Sequence, residues 1–179
     1  MSLHFRFNPE TLREIVDDPA ALRGRIAALA ASGVAEPGSA DSGDFDARCE
    51  YVTLLRIAGR LDEAALEAEM NLAAADLAGD LRRMTRAMLI LGHVRQWRAE
   101  WEAAGACFQR ATRLAFFLKD DTLIASAAHH SGKNFFDQGE FVEAALRFRL
   151  ATEIRQRIGA GSDQVEASRM ALTAAVDQL

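Results

Sequence analysis

Small, apolar and polar positions recur along this chain with a spacing of forty residues. Between Ala125 and Ala151 the pattern runs Ser131-Gly132-x-x-Phe135, then Gly139-Glu140-Phe141-x-Glu143-Ala144, then Phe148 and Ala151. One period earlier Leu91-Gly92 replaces Ser131-Gly132, Trp101 falls at Phe141, and Ala104, Phe108 and Ala111 fall at Ala144, Phe148 and Ala151. A period before that, Gly59 takes the turn, followed by Arg60-Leu61-Asp62-Glu63-Ala64, with Ala68 and Asn71 in the later columns. A fixed period of this size marks a stack of repeated units, because one unit buries its apolar faces only against its neighbours. The unit reads as a helical hairpin. Gly92 and Gly132 on the first helix admit the second helix closely and Ala64, Ala104 and Ala144 receive it, so side-chain size selects these columns. Gly59 and Gly139 supply the helix-ending residue that tolerates positive φ. Leu61, Trp101 and Phe141 are placed to plug the open end of each hairpin.

The same pattern divides the chain. Residues 44–161 hold three hairpins, at about 44–79, 84–119 and 121–158, with breaks at Gly79-Asp80, Lys119-Asp120-Asp121 and Gly159-Ala160-Gly161. Residues 162–179 read as a closing helix: Ala171, Leu172 and Ala175 pack, while Asp163, Glu166, Arg169 and Gln178 face water, as the end of a stack requires. At the other end, Asn8-Pro9-Glu10 reads as an N-cap with Pro in the first turn, and Leu12, Ile15 and Val16 share one apolar face. Asp18-Pro19 starts a second helix through Leu22, Ile26 and Leu29. Residues 1–33 are therefore expected as an N-terminal helical hairpin, either a degenerate repeat with Gly24, Ala28 and Ala31 in the packing columns or an Ala-rich pair outside the series. Residues 34–43, with Glu36-Pro37-Gly38-Ser39, carry no periodic apolar positions and are expected as a loop.

At Leu91-Gly92 with Ala104-x3-Phe108, and at Gly132-x2-Phe135 with Ala144-x3-Phe148, the chain resembles the tetratricopeptide repeat (TPR) family, in a divergent bacterial form. Met88 and Ala128 stand where that family opens with a large aromatic, Ala99 stands at a turn glycine, the closing Pro is missing, and the period exceeds the usual one of about 34 residues. HEAT-type repeats, with periods of roughly 40 residues, are the architectural alternative. The resemblance implies an all-α fold: a right-handed α-solenoid of stacked antiparallel helix hairpins with a C-terminal capping helix. It also implies a concave groove, lined by the first helices, in which a segment of a partner lies. Helical geometry places Arg56, Arg86, His93, Gln96, Trp97, His129, Lys133 and Phe136 in that groove, with Arg169 added from the closing helix. The chaperone-binding members of the family grip a C-terminal carboxylate with Lys and Asn. The corresponding places here hold Cys49, Thr53, Ile90, Ser126 and His130, which argues against that mode.

Charge sharpens this picture. The formal net charge is −5, which disfavours nucleic acid as a partner. Yet the groove positions collect Arg56, Arg86, Lys133 and Arg169, so an acidic protein or peptide segment is the natural complement. The basic residues comprise 19 arginines against only Lys119 and Lys133, a bias of composition rather than of function. No apolar run is long enough to span a bilayer and the opening Met1-Ser2-Leu3-His4 lacks the pattern of a signal peptide. Cys49 and Cys107 read as small buried thiols. Together these features lead to an expected cytoplasmic location without membrane contact.

Chemistry finds no foothold. His129 and His130 are adjacent on a helix and point roughly 100° apart, and no carboxylate or thiol on the face of His93 and His129 completes a metal shell. The chain has no nucleophile-elbow serine, no phosphate-binding glycine loop and no H-E-x-x-H. The expectation is a non-enzyme without catalytic residues, cofactor or metal, acting as a protein- or peptide-binding scaffold through its groove. Two alternatives stay open: a peptide-sensing module of a bacterial signalling or transcription system, and a structural protein that self-associates as a homo-oligomer through Phe5-Arg6-Phe7 or the closing helix.

Overall fold

The computed structural model describes residues 3–34 and 42–179. Among the described residues a short antiparallel β-hairpin, β1 (Phe5–Phe7) and β2 (Glu14–Val16), precedes eight helices. These are α1 (Pro19–Ala31), α2 (Ser42–Ile57), α3 (Leu61–Leu77), α4 (Leu81–Trp97), α5 (Trp101–Phe117), α6 (Asp121–Asp137), α7 (Phe141–Arg157) and α8 (Ser162–Val176). The loop expected over 34–43 falls, for residues 35–41, outside the described residues.

Each helix packs on the next, as in a helical repeat: α2 on α3, α3 on α4, and so on to α7 on α8. A second set of contacts joins alternate helices, α2 to α4, α4 to α6 and α6 to α8. The helices α3, α5 and α7 make no comparable contacts with one another among the described residues. The first helices of the pairs thus form one continuous layer.

Local chemistry explains the breaks. Asp18, Asp80 and Asp120 stand just before α1, α4 and α6, and their carboxylates accept the backbone N–H groups of Ala20 (2.9 Å), Arg83 (3.0 Å) and Leu123 (3.1 Å). Inside the pairs the turn residue is left-handed: Gly59 and Gly139 at φ 77°, and Ala99 in the same column at φ 60°. Ala99 accepts the strain that glycine avoids. The close approach of paired helices is sharply sterically defined. A Cβ on Gly92 would lie 2.6 Å from Phe108, and one on Gly132 would lie 2.7 Å from Phe148. Both rings are fully buried. Trp101, expected to plug its hairpin, remains on the surface, with its backbone carbonyl accepting Asn134 Nδ2 at 3.1 Å.

The N-terminus departs from expectation. Residues 8–18 do not form a helix, so residues 1–33 are not a helical hairpin; β1 and β2 pair with Phe5 opposite Val16 and Phe7 opposite Glu14. Asn8 does cap a turn, its side chain accepting the N–H groups of Glu10 (2.8 Å) and Thr11 (3.2 Å). That single turn ends at Leu12, which swings to φ 54°, and Asn8 N–H then donates to the Arg13 carbonyl at 2.9 Å to close the hairpin. Ile15 and Val16 beyond it are β-branched and favour the extended state.

Candidate binding site

The hairpin lies across the layer of first helices, on the face where the partner groove was expected. Its anchor is Glu14. The Glu14 carboxylate accepts from Arg56 Nη1 of α2 at 2.9 Å and meets Lys133 Nζ of α6 at 3.5 Å. The side chains of Arg56 and Lys133 are only 3% and 2% exposed, and that of Glu14 14%. Burial alone would raise the Glu14 carboxyl, but the positive charges of Lys133 and Arg56 outweigh it and bring the pKa down to about 2. Burial pushes the Lys133 ammonium down to about 8 against the pull of Glu14. Two buried cations therefore converge on one carboxylate.

Neighbouring residues extend the contact. Arg13 lies over the Trp97 ring at 5.0 Å and reaches Asp137 at 3.6 Å, while Arg56 covers the same indole at 4.5 Å. Lys133 also lies 5.6 Å from the Phe7 ring. Gln96 donates to Asp137 Oδ2 at 3.0 Å. Leu12, 2% exposed, drops into an apolar cluster with Phe136, Ala144, Phe148 and Ala171. The hairpin thus spans the layer from α2 to the edge of α7 and α8.

Beneath it lie three imidazoles. The His93 and His130 rings are 4.6 Å apart and the His129 and His130 rings 5.5 Å. Burial, reinforced by nearby cations, lowers all three, with His93 and His129 well below the ordinary value and His130 at about 3. They are neutral at physiological pH. His129 Nδ1 lies 3.0 Å from Ser168 Oγ, which accepts from the buried Arg155 at 2.6 Å. Four buried polar atoms in this region have no hydrogen-bond partner: His93 Nε2, Gln96 Oε1, Trp97 Nε1 and His130 Nδ1.

Of the expected groove residues, Arg56, His93, Gln96, Trp97, Lys133 and Phe136 come together around the hairpin, and His129 lies behind them. Arg86 and Arg169 do not join. Arg86 pairs with Asp46 at 2.7 Å on the rim and lies over Phe45, and Arg169 pairs with Glu166 at 3.2 Å on the outside of α8. Sequence reasoning did not single out Arg13, Glu14, Asp137, Arg155 or Ser168. The available signal for the first two was the β-branched pair Ile15-Val16 facing the alternating Phe5-Arg6-Phe7.

Two open clefts flank the hairpin. One of 610 Å³ at its strand end is lined by Leu3, Phe5, Cys49, Thr53, Arg86 and Ile90. One of 430 Å³ at its turn is lined by Thr11, Arg13, Trp101, Phe136, Asp137 and Phe141. Burial raises both thiols, Cys49 and Cys107, so neither is primed as a nucleophile. Among the described residues no three His, Cys, Asp or Glu side chains are placed to hold a metal ion, and no helix is long and apolar enough to cross a membrane. Comparison with protein-family models and with curated proteins gives no match.

Proposed function

We propose that this chain is a non-catalytic scaffold that holds an extended acidic segment of another protein on the face of its first helices. In this reading the helix pairs form a right-handed, TPR-like solenoid capped by α8, and the first-helix layer is its concave side. The contacts among alternate helices, strongest in that layer among the described residues, support that layer as the inner side of the stack. The two cysteines, free and buried, suit a reducing cytoplasm.

The observation that carries the reading is Glu14 between Arg56 and Lys133. Buried cations are retained where an anion meets them, and here the anion is delivered by an extended segment lying across the repeats. Arg13 on Trp97 adds the aromatic platform that a peptide-binding face uses. A thermal-shift panel of acidic, neutral and basic peptides against the full chain tests this. Acidic peptides should raise the melting temperature, with stabilisation of about 3 kcal/mol at a hundredfold excess over Kd. The effect should weaken with salt. Equal responses to all three classes, or to none, would refute the reading.

A regulatory version is favoured by the span of the hairpin. Glu14 and Leu12 tie α2 to the α6–α8 region, so replacing the hairpin with a peptide would alter contacts between repeats. Small-angle scattering with and without the bound peptide separates a rigid scaffold from such a sensor.

A further inference from the structure

Resting on the binding reading above, we propose that the N-terminal hairpin is an exchangeable occupant of the first-helix face. The partner segment it stands in for presents an apolar side chain and, two residues later, a carboxylate. The hairpin itself displays this pattern as Leu12-Arg13-Glu14. Leu12 fills the cluster around Phe136 and Phe148, and Glu14 fills the gap between Arg56 and Lys133. Between them, Arg13 lies over the Trp97 ring and pairs with Asp137, its side chain 41% exposed.

Three features make the hairpin a replaceable occupant rather than a fixed part of the core. Its own strands are three residues each, and a lone two-stranded hairpin is marginal in water. Its outer parts lie in solvent: Phe5 is exposed, and the Arg6–Asp17 ion pair is exposed at both partners. Leu12, the apolar anchor, holds a left-handed backbone that disfavours side chains with a Cβ. A segment that reached both anchors without that conformation would avoid the strain.

A fourth observation points to the ligand. Arg13 of the hairpin lies over the Trp97 ring and reaches Asp137, to which Gln96 donates, yet the buried Trp97 Nε1 and Gln96 Oε1 beside it have no hydrogen-bond partner. Buried polar atoms left in this way oppose docking. A partner segment with a hydrogen-bonding side chain next to its carboxylate would satisfy some of them and displace the hairpin. The hairpin competes through its tether, at an effective concentration on the order of millimolar.

The probe is a fluorescent peptide with the sequence of residues 3–17, titrated into the full chain by anisotropy. The Glu14→Gln chain, whose own hairpin is weakened, should bind the peptide at least tenfold more tightly than the wild-type chain. Peptides carrying Leu12→Ser or Glu14→Gln should lose at least tenfold on that chain. Hydrogen exchange on the wild-type chain gives a readout independent of the variant: excess peptide should speed exchange at the amides of Arg6 and Ile15. A folded Glu14→Gln chain that binds no better than wild type, with unchanged exchange in the wild-type chain, would overturn the proposal. So would equal binding of the three peptides, or a Glu14→Gln chain that dimerises by light scattering, which would make a second copy the occupant. A peptide of alternating Gly and Glu separates the two levels. If it binds both chains while the hairpin peptide binds neither, the anchor pattern fails and the acidic-segment reading survives; if neither peptide binds, both fail.

Discussion

The helix pairs and the N-terminal hairpin are held by different physics. In the repeats the same contact is made twice, Gly92 under Phe108 and Gly132 under Phe148, with no room for one more carbon. The hairpin is anchored mainly by Leu12 and by the Glu14 carboxylate between two cations, with Arg13 on Trp97 and Asp137 and Val16 on the core adding to the contact. Packing by size is repeated and redundant, whereas the ionic anchor occurs once and depends on burial. A repeat can therefore be specified locally, while the hairpin is specified only by a finished scaffold.

Acid should produce the largest effect, and it strikes the scaffold beneath the hairpin. His93, His129 and His130 are lowered in the folded chain, so the unfolded chain binds their protons first as pH falls below the ordinary histidine value of 6.5. Stability should fall through this range, by up to about 4 kcal/mol per pH unit where three protons are taken up together. Glu14 adds to the loss below the ordinary carboxyl value of 4.5, since its folded pKa is about 2. Urea unfolding followed at a series of pH values measures the slope; a flat profile between neutrality and pH 5, two units above the folded His130 pKa of about 3, would contradict the buried, neutral histidines.

Phe148→Ala removes the ring that seats against Gly132 and should cost about 3–5 kcal/mol, read as a lower urea midpoint for the whole chain. Glu14→Gln makes the sharpest contrast. It should weaken hairpin docking by about 2–5 kcal/mol, since two buried cations lose their anion, yet move the midpoint of the helices far less than Phe148→Ala does. Hydrogen exchange, fast in the hairpin and unchanged in α4 and α6, would show the separation; a common loss in both would show one cooperative unit. The smallest effect is a gain. Ala99→Gly relieves a left-handed alanine at φ 60° and should stabilise by about 0.5 kcal/mol after the added freedom of the unfolded chain is subtracted.

Much of this was readable in advance where the signal was local. The columns of Gly92, Gly132, Phe108 and Phe148 announced close helix pairs because a contact repeated at a fixed separation leaves a periodic trace. Helical geometry also put Arg56, His93, Gln96, Trp97 and Lys133 on a common face. Arg86 and Arg169 obeyed the same geometry but pair locally, with Asp46 and Glu166, rather than with the hairpin. The Asn8-Pro9 step misled for a specific reason: the capping interaction it promised does form, but it closes one turn and stops at Leu12.

From its residues alone, then, the chain determined a stack of helix pairs, the places where they break and the small residues that let them touch, since each depends on neighbours within one period. Only the tertiary structure decided that residues 5–7 and 14–16 become strands and that the Glu14 carboxylate meets Arg56 and Lys133. Glu14 and Lys133 lie 119 positions apart, and an attraction over that separation exists only after folding has brought both charges out of water.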